Sequence, residues 1–283
     1  MGIKFGTAGN SSSFYASGHK KSAEAPSWLE KIGLDAYEYQ CGKGITVGEK
    51  AALEIGAAAK EHGIAMSLHA PYFANIANPD ETMREKTIRH IVSSCKTAGF
   101  LGAGRVVVHS GSLLKNTREA ALEIAKTNLK AALDACDNEG YSSVAVCPEL
   151  MGGISQLGTL DEVCELCKID DRLIPCIDFG HYNARHRGIL KDEADYLFIT
   201  EKIQNSLGYE RLRYMHCHFS KIEYSKKRGE IRHLTFEDKV FGPEFAPLAQ
   251  VIKKNRLEPV IICESDGTQA EDALTMRKIY EEA

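Results

Sequence analysis

Short apolar runs alternate along the chain with longer segments in which apolar residues recur every three or four positions. The short runs have the length of buried strands, whereas the longer segments have the spacing of amphipathic helices. Strands are predicted at residues 4–6, 36–39, 64–68, 105–108, 143–146, 173–177, 213–219 and 259–263. Helices are predicted at 27–31, 47–62, 78–100, 116–138, 189–207, 245–255 and 272–283, with a short one opening at Thr159. The segment 221–239 is charged and poor in apolar residues, and is predicted as a loop.

This alternation of strand and helix is typical of a parallel sheet. Eight such units occur in a chain of 283 residues, with no break in composition that would mark a linker. A closed barrel of eight strands and eight helices has about 250 residues. We therefore expect an α/β fold, a single (β/α)8 TIM barrel over residues 1–283, with its functional site at the C-terminal face of the strands.

The composition is that of an ordinary globular protein, with 43% hydrophobic and 26% charged residues. No apolar run is long enough to span a membrane, and the N-terminus lacks the apolar stretch of a signal peptide. Several of the nine cysteines fall in predicted strands, which suits a reducing cytoplasm. The net charge of −4 means that any nucleic-acid surface must be a local basic patch.

Polar side chains recur at the ends of the predicted strands. They are His69, His109, Glu149, Asp178, His181, His216 and Glu264. Any one of them could be a helix cap or a buried hydrogen-bonded residue. A parallel barrel brings all strand ends to one rim, however, and so many polar ends are hard to explain as caps.

The residue types in this set point to metal chemistry. Imidazole and carboxylate together are the ligands of zinc, and they also suit manganese or iron. The set is too large for one tetrahedral ion, so it predicts a cluster of two or three metal ions per chain, for which zinc and manganese are both suitable. Neighbouring divalent ions can supply a metal-bound hydroxide and favour in-line attack on phosphorus. The chain has no Gly-x-Ser-x-Gly elbow, Walker A loop or dinucleotide fingerprint.

A second feature of the rim is positive charge. The segment after the seventh strand carries Lys221, Lys226, Lys227, Arg228 and Arg232, and Arg185 follows His181 on the neighbouring loop. A solvated loop would explain these charges, but their placement beside the predicted metals in an acidic protein favours contact with a phosphate backbone.

Several motifs in this region resemble the endonuclease IV family of apurinic/apyrimidinic-site nucleases, within the xylose-isomerase-like barrel superfamily. They are His69-Ala-Pro-Tyr72-Phe-Ala-Asn75, His109-Ser-Gly-Ser, Pro148-Glu149-Leu-Met-Gly, Ser155-Gln-Leu-Gly158, Cys176-Ile-Asp178-Phe-Gly-His181, Met215-His216-Cys-His-Phe-Ser220-Lys221, Arg232-His233 and Cys263-Glu264-Ser.

The resemblance implies a site and an activity. It implies three zinc ions held by His69, His109, Glu149, Asp178, His181, His216, His233 and Glu264. Glu149 would bridge two ions, Glu264 would position the attacking hydroxide, and Tyr72 and Asn75 would face DNA. The implied reaction is hydrolysis of the phosphodiester 5′ to an abasic site in damaged double-stranded DNA, as in base-excision repair.

Two positions depart from the family pattern. The family has an Asp two residues before its last ligand His, where this chain has Ile231; Glu230 beside it is the substitute candidate. The family's Asn-Asp after the His216 position is His218-Phe219 here. Because His218 points the same way as His216 on a strand, it is a further candidate ligand, with a structural role as the alternative.

An alternative function is a metal-dependent sugar isomerase or epimerase of the same superfamily. It would use one or two ions on Glu149, Asp178, His216 and Glu264. The imidazoles outside that set and the basic segment favour the nuclease, whereas Ile231 and the low overall charge favour the isomerase. No sequence feature points to a protein partner.

Overall fold

Eight parallel strands close into a barrel in the computed structural model, which describes residues 2–283. The strands are β1 (Lys4–Ala8), β2 (Ala36–Gln40), β3 (Ala65–His69), β4 (Arg105–His109), β5 (Ala145–Glu149), β6 (Cys176–Asp178), β7 (His216–Phe219) and β10 (Val260–Cys263). They pair in chain order, and β10 closes the ring against β1. The predicted single-domain TIM barrel is confirmed.

Helices surround the barrel. They are α1 (Ser12–Ala16), α2 (Ala25–Ile32), α3 (Glu49–Glu61), α4 (Glu81–Leu101), α5 (Arg118–Asn138), α6 (Leu160–Cys167), α7 (Phe179–Arg185), α8 (Glu193–Leu207), α9 (Tyr209–Arg213), α10 (Phe245–Lys254) and α11 (Gln269–Glu282), with a 3₁₀ turn at Ser22–Glu24. Their apolar faces form the main core with the outward side chains of the strands. Within residues 2–283, none of them has the length and apolar character needed to cross a membrane.

Two segments at the barrel rim have regular structure that the sequence did not predict. The segment 221–239 is not a plain loop, because it contains an antiparallel hairpin of β8 (Lys221–Ser225) and β9 (Gly229–Leu234). The residues after Asp178 form α7, since the Asp178 side chain accepts a hydrogen bond from the His181 backbone amide and caps the helix. Both additions lie at the C-terminal ends of the strands.

The barrel interior follows from the two-residue period of its strands. Val107, Cys147 and Cys176 form a small apolar cluster separate from the main core. Residues two positions further along β4 and β5 are His109 and Glu149, which pair directly in the sheet. The strands therefore carry an apolar layer low in the barrel and a polar layer at the rim.

Closure of the barrel between β1 and β2 depends on Gly6. It lies opposite Ala36 in the sheet, and a Cβ atom at Gly6 would lie 2.0 Å from the Ala36 carbonyl oxygen. We expect Gly6→Ala to lower the free energy of unfolding by about 1–3 kcal/mol, because the strands must separate to admit the methyl group. Urea denaturation measures this, and Gly104→Ala, at a site with open space around it, is the matched control. Equal unfolding midpoints for the two variants would contradict this interpretation.

Candidate metal centre

Glu149 is the centre of the polar rim. Its carboxylate is almost fully buried at the end of β5, and four imidazoles face it. Oε2 lies 3.2 Å from His69 Nε2 and 3.3 Å from His109 Nε2, and Oε1 lies 3.2 Å from His218 Nδ1 and 3.4 Å from His181 Nδ1. The rim residues predicted at separate strand ends therefore do meet, around a single carboxylate.

The charges in this cluster depend on one another. Burial disfavours the charged form of Glu149, but the facing imidazoles, His109 foremost, hold its pKa well below its usual range. Burial also opposes protonation of His69, yet its hydrogen bond to Glu149 raises the pKa of His69 to about 9. Burial dominates at His109 and lowers its pKa to about 4. The cluster thus combines a buried carboxylate with buried imidazoles, and both kinds of group can ligate a divalent cation.

A four-residue group lies on one side of Glu149. Ligand atoms of Glu149, Asp178, His218 and Glu264 all lie within 4.8 Å of one another. Asp178 Oδ2 is buried, lies 3.3 Å from His181 Nδ1 and makes no hydrogen bond to any residue that the structure describes. A buried carboxylate oxygen without a hydrogen bond, among three further donors, suits a cation site. A second group of His69, Glu149 and His218 meets the same distance limit.

A third group is completed by the hairpin. His181 Nε2 lies 3.2 Å from Glu230 Oε2, and Glu230 Oε1 lies 3.7 Å from His233 Nε2. Burial raises the pKa of Glu230, but the charges of His181 and His233 outweigh it and bring that pKa to about 2. The structure thus places the Glu230 carboxylate beside both His181 and His233, although Ile231 occupies the position where the family pattern has an Asp.

A β-bulge explains how Glu230 reaches this position. Glu223 pairs with Arg232 and Tyr224 pairs with Glu230, so Ile231 has no partner across the hairpin. On a regular strand, residues three apart point to opposite faces, but one extra residue returns Glu230 and His233 to the same face. Ile231 is 46% exposed and points away from the site.

Two glycines let the hairpin approach the β5–α6 loop. Glu230 N donates to the Gly152 carbonyl, and Gly153 forms a bridge with Gly229. A Cβ atom at Gly152 would lie 2.8 Å from both Glu230 Cβ and Oε2, and one at Gly229 would lie 2.2 Å from the Gly152 oxygen. The close approach of these backbones therefore sets the position of the Glu230 carboxylate.

In three rim imidazoles, the outer nitrogen, which is Nδ1 in each case, is held by a neighbouring carbonyl or hydroxyl group. His69 Nδ1 lies 2.7 Å from the Ala70 carbonyl, His181 Nδ1 lies 2.9 Å from the Leu150 carbonyl, and His233 Nδ1 lies 2.8 Å from Ser220 Oγ. Such contacts hold the ring and direct the other nitrogen toward the centre. For His69 and His181 that other nitrogen faces Glu149 and Glu230 respectively.

His216 is placed differently from the prediction. It is fully buried one layer below the rim, and its Nε2 lies 2.8 Å from Glu38 Oε2 rather than beside Glu149. Burial lowers the pKa of His216 to about 4. The candidate ligand on β7 is therefore His218, because two residues along a strand is one step toward the rim. His216 and His218 also approach Cys176 within 4.8 Å.

Two of the predicted DNA contacts are buried side chains that bind other parts of the chain. Lys221 is 3% exposed, and its Nζ donates to Glu244 Oε1 at 2.7 Å and to the Asp238 carbonyl at 2.8 Å. Arg185 is 9% exposed, and its guanidinium binds the carbonyls of Met151, Gly153 and Gln156, so it fixes the β5–α6 loop.

The other candidate contacts have varied environments. Tyr72 is half exposed and stacks on His109, with ring centroids 6.1 Å apart. Asn75 Oδ1 accepts from the Ala77 and Ser112 amides and joins two rim loops. Arg232 is exposed and pairs with Glu223. The residues Lys226, Lys227 and Arg228 form the exposed tip of the hairpin.

A cavity of about 260 Å³ opens above the centre. Its lining is Gln40, His69, Tyr72, His109, Glu149, Met151, Gln156, His181, Glu230, His233 and Glu264. Sequence reasoning missed Gln40, Met151 and Gln156, and also Glu38 below them. The signal for Glu38 and Gln40 was the alternation along β2, which puts both on the inward face.

Sequence comparisons place the chain among barrel proteins. The model of the xylose isomerase-like TIM barrel family matches residues 26–280. An uncharacterized protein of Methanocaldococcus jannaschii is 34% identical over 256 residues, covering 90% of each chain. A probable endonuclease 4 of Mycoplasma genitalium is 27% identical over 223 residues, covering 76% of this chain and 70% of the relative.

Solved structures share the fold. Endonuclease IV from Thermus thermophilus superposes with a TM-score of 0.70 at 20% identity, over 93% of this chain and 95% of that one. A D-tagatose 3-epimerase-like protein superposes with a TM-score of 0.73 at 21% identity, over 99% and 96%. At these identities the likeness establishes the fold alone, and a nuclease and an epimerase-like protein are similar to this chain to about the same degree.

The role of Gly152 can be tested through metal content. We expect Gly152→Ala to displace Glu230 and to lower the zinc bound after dialysis by about one ion per chain, because one donor group loses its carboxylate. Elemental analysis measures this, and Gly48→Ala, where nothing lies within 4 Å, is the matched control. Unchanged zinc in a folded Gly152→Ala protein would show that Glu230 holds no ion.

Proposed function

The chain belongs to the xylose isomerase-like TIM barrel family, and we propose that it is a zinc-dependent endonuclease that hydrolyses DNA 5′ to abasic sites, in base-excision repair. The observation that carries the proposal is the convergence of three donor groups on the rim, two of them sharing Glu149 and the third completed by the hairpin. The nine cysteines are all free and buried, which suits the reducing cytoplasm where such repair would occur.

The donors fit two to three divalent ions, with zinc favoured by the imidazoles and manganese also suited by the carboxylates. We assign His69, His109 and Glu149 to one ion, because both Nε2 atoms lie within 3.3 Å of Glu149 Oε2. We assign Glu149, Asp178, His218 and Glu264 to a second ion, and His181, Glu230 and His233 to a third. Bound ions would polarise a phosphodiester and activate water for in-line attack.

The chain's own residues would then orient the reacting groups. Glu149 is fully enclosed and would join two ions, whereas Glu264 is partly exposed at the cavity and is positioned to accept a proton from attacking water. The cavity is smaller than most ligand pockets, which favours a sugar phosphate turned out of the duplex and lacking its base. Tyr72 at the cavity edge would lie against the displaced sugar.

The hairpin tip offers the duplex a positive surface. Lys226, Lys227 and Arg228 are exposed at the end of β8–β9, and the same hairpin carries Glu230 and His233 into the cavity. A protein with a net charge of −4 needs such a local patch to bind DNA. Tyr72, Asn75 and Arg232 remain proposed contacts on the same face.

A sugar epimerase is the second candidate. The group of Glu149, Asp178, His218 and Glu264 is a complete site for one divalent ion by itself, and a carboxylate pair there could exchange a proton on a sugar carbon. The epimerase-like neighbour makes this candidate worth testing. The hairpin donors Glu230 and His233 favour the nuclease, since one ion would leave them without a role.

The activity is tested with a duplex that carries one abasic site. We expect a nick 5′ to that site that leaves a 3′-hydroxyl, that is abolished by a chelator and restored by zinc. Glu264→Gln should retain zinc in the groups that Glu264 does not belong to and lose about 100-fold in rate, because the carboxamide cannot accept the proton. Glu271→Gln, an exposed carboxylate nearby in sequence, is the matched control. Zinc-loaded protein that leaves the duplex intact and epimerises a ketohexose would instead establish the second candidate.

The hairpin tip is tested by salt dependence. Replacing Lys226, Lys227 and Arg228 with Ala should weaken binding to abasic duplex and reduce the slope of log K against log salt by roughly one per lost phosphate contact. Fluorescence anisotropy with a catalytically inactive background measures this. Lys60, Lys254 and Lys278 lie toward the C-terminal ends of α3, α10 and α11, outside the hairpin, and their triple Ala variant is the control. Equal slopes for the two triple variants would show that the hairpin tip is a solvated surface that makes no phosphate contacts.

A further inference from the structure

Glu38 is a buried carboxylate in the middle of β2, with no exposed surface. Four side chains from three strands converge on it. Its Oε2 accepts from Ser67 Oγ at 2.8 Å and lies 2.8 Å from His216 Nε2, while its Oε1 accepts from Gln40 Nε2 at 3.0 Å and lies 3.0 Å from His218 Nε2. Both oxygens are therefore occupied by donors, which is how a buried carboxylate is tolerated.

The carboxylate determines how its neighbours are oriented. An ionised carboxylate only accepts hydrogen bonds, so the atoms that face it must be N–H or O–H groups. His216 shows the consequence, because its Nδ1 is buried and makes no hydrogen bond within the described chain, as expected for a neutral ring protonated at Nε2. The Gln40 amide nitrogen likewise donates to Glu38. His218 Nε2 lies 3.0 Å from Glu38 Oε1, within ion-pair distance, but makes no hydrogen bond within the described chain, whereas its Nδ1 is hydrogen-bonded to Glu149.

The opposite nitrogen of His218 faces the rim. Its Nδ1 lies 3.2 Å from Glu149 Oε1 and 3.4 Å from Glu264 Oε2. His69, His181 and His233 each have their outer nitrogen held by a carbonyl or a hydroxyl. At His218 the outer nitrogen instead faces the Glu38 carboxylate, and a carboxylate both fixes the ring and increases its basicity.

We propose that Glu38 is a positioning residue of the metal centre, which accepts a hydrogen bond from His218 Nε2 when an ion is bound and so leaves Nδ1 to ligate that ion beside Glu149, Asp178 and Glu264. This inference depends on the proposed function only in that the centre binds a divalent ion. Glu38 also orients Gln40, which lines the cavity. The Gln40 amide nitrogen donates to Glu38, so its amide oxygen is directed away from Glu38. His216 supports the carboxylate from below.

Glu38→Gln is the direct test, with zinc alone as the probe. The carboxamide of Gln has only one oxygen to accept hydrogen bonds, and its NH2 group would face at least one of the four donor groups around position 38. His218 therefore loses its fixed orientation. We expect a folded protein whose tightest zinc affinity falls about 10- to 100-fold, measured by competition with a chromophoric chelator. The visible spectrum of the cobalt-loaded protein should change in shape, which lower stability by itself would not cause.

The matched control is Asp35→Asn. Asp35 also carries a hydrogen-bonded carboxylate, but it immediately precedes β2, at the opposite end of that strand from the rim, where it accepts from the Phe5 amide and pairs with Arg277. We expect it to lower stability and to leave zinc affinity and the cobalt spectrum unchanged. Wild-type affinity and spectrum in folded Glu38→Gln would overturn the proposal, as would equal zinc loss in the two variants.

A measurement on the wild-type protein decides the matter if Glu38→Gln does not fold. Long-range proton–nitrogen NMR of the zinc-loaded protein should show His218 protonated at Nε2 and metal-bound at Nδ1, with His218→Asn for assignment. The reverse pattern, or a wild-type protein that binds no zinc, would overturn the proposal. Tight zinc binding with the expected pattern but no cleavage of abasic DNA would leave it standing and refute the proposed function.

Discussion

The structure depends on keeping the Glu149 carboxylate charged inside the barrel mouth. A buried ion without partners costs several kcal/mol, on the order of the whole stability margin of a domain. Four imidazoles on β3, β4, α7 and β7 surround this carboxylate. The positions of these elements are therefore tied to one charge, and cations shared among them would complete the compensation that the imidazoles begin.

Strand parity connects this charge to the fold. Because inward positions recur every second residue, the register that buries Val107, Cys147 and Cys176 in the lower layer also sends His109 and Glu149 to the rim. A slip of one residue in β5 would turn Pro148 inward and Glu149 toward the helices. The same strand pairing therefore sets both the register of the barrel and the assembly of its polar rim.

The strand ends could be predicted from the sequence, because parallel strands of a barrel necessarily end at one face. That rule located His69, His109, Glu149, Asp178, His181 and Glu264. The rule does not give the depth of a side chain inside the barrel. It therefore did not separate His216 from His218, which lies one layer nearer the rim, and it did not find Glu38, which lies within a strand rather than at its end. Burial of Lys221 and Arg185 was equally hidden, because their partners are 23 and up to 34 residues away in the chain.

The hairpin shows why spacing along the chain is a poor measure of spacing in a site. Ile231 breaks the Asp-x-His pattern of the family, yet the strand opposite it pairs as though the residue were absent. The bulge turns Ile231 outward, the longer Glu230 side chain replaces an Asp, and the missing Cβ atoms of Gly152 and Gly229 leave room for it. Three local changes that each break a pattern are mutually compatible, because together they return a carboxylate to His181 and His233. The departure from the motif is thus compatible with a carboxylate beside these two imidazoles, which the bulged backbone supplies.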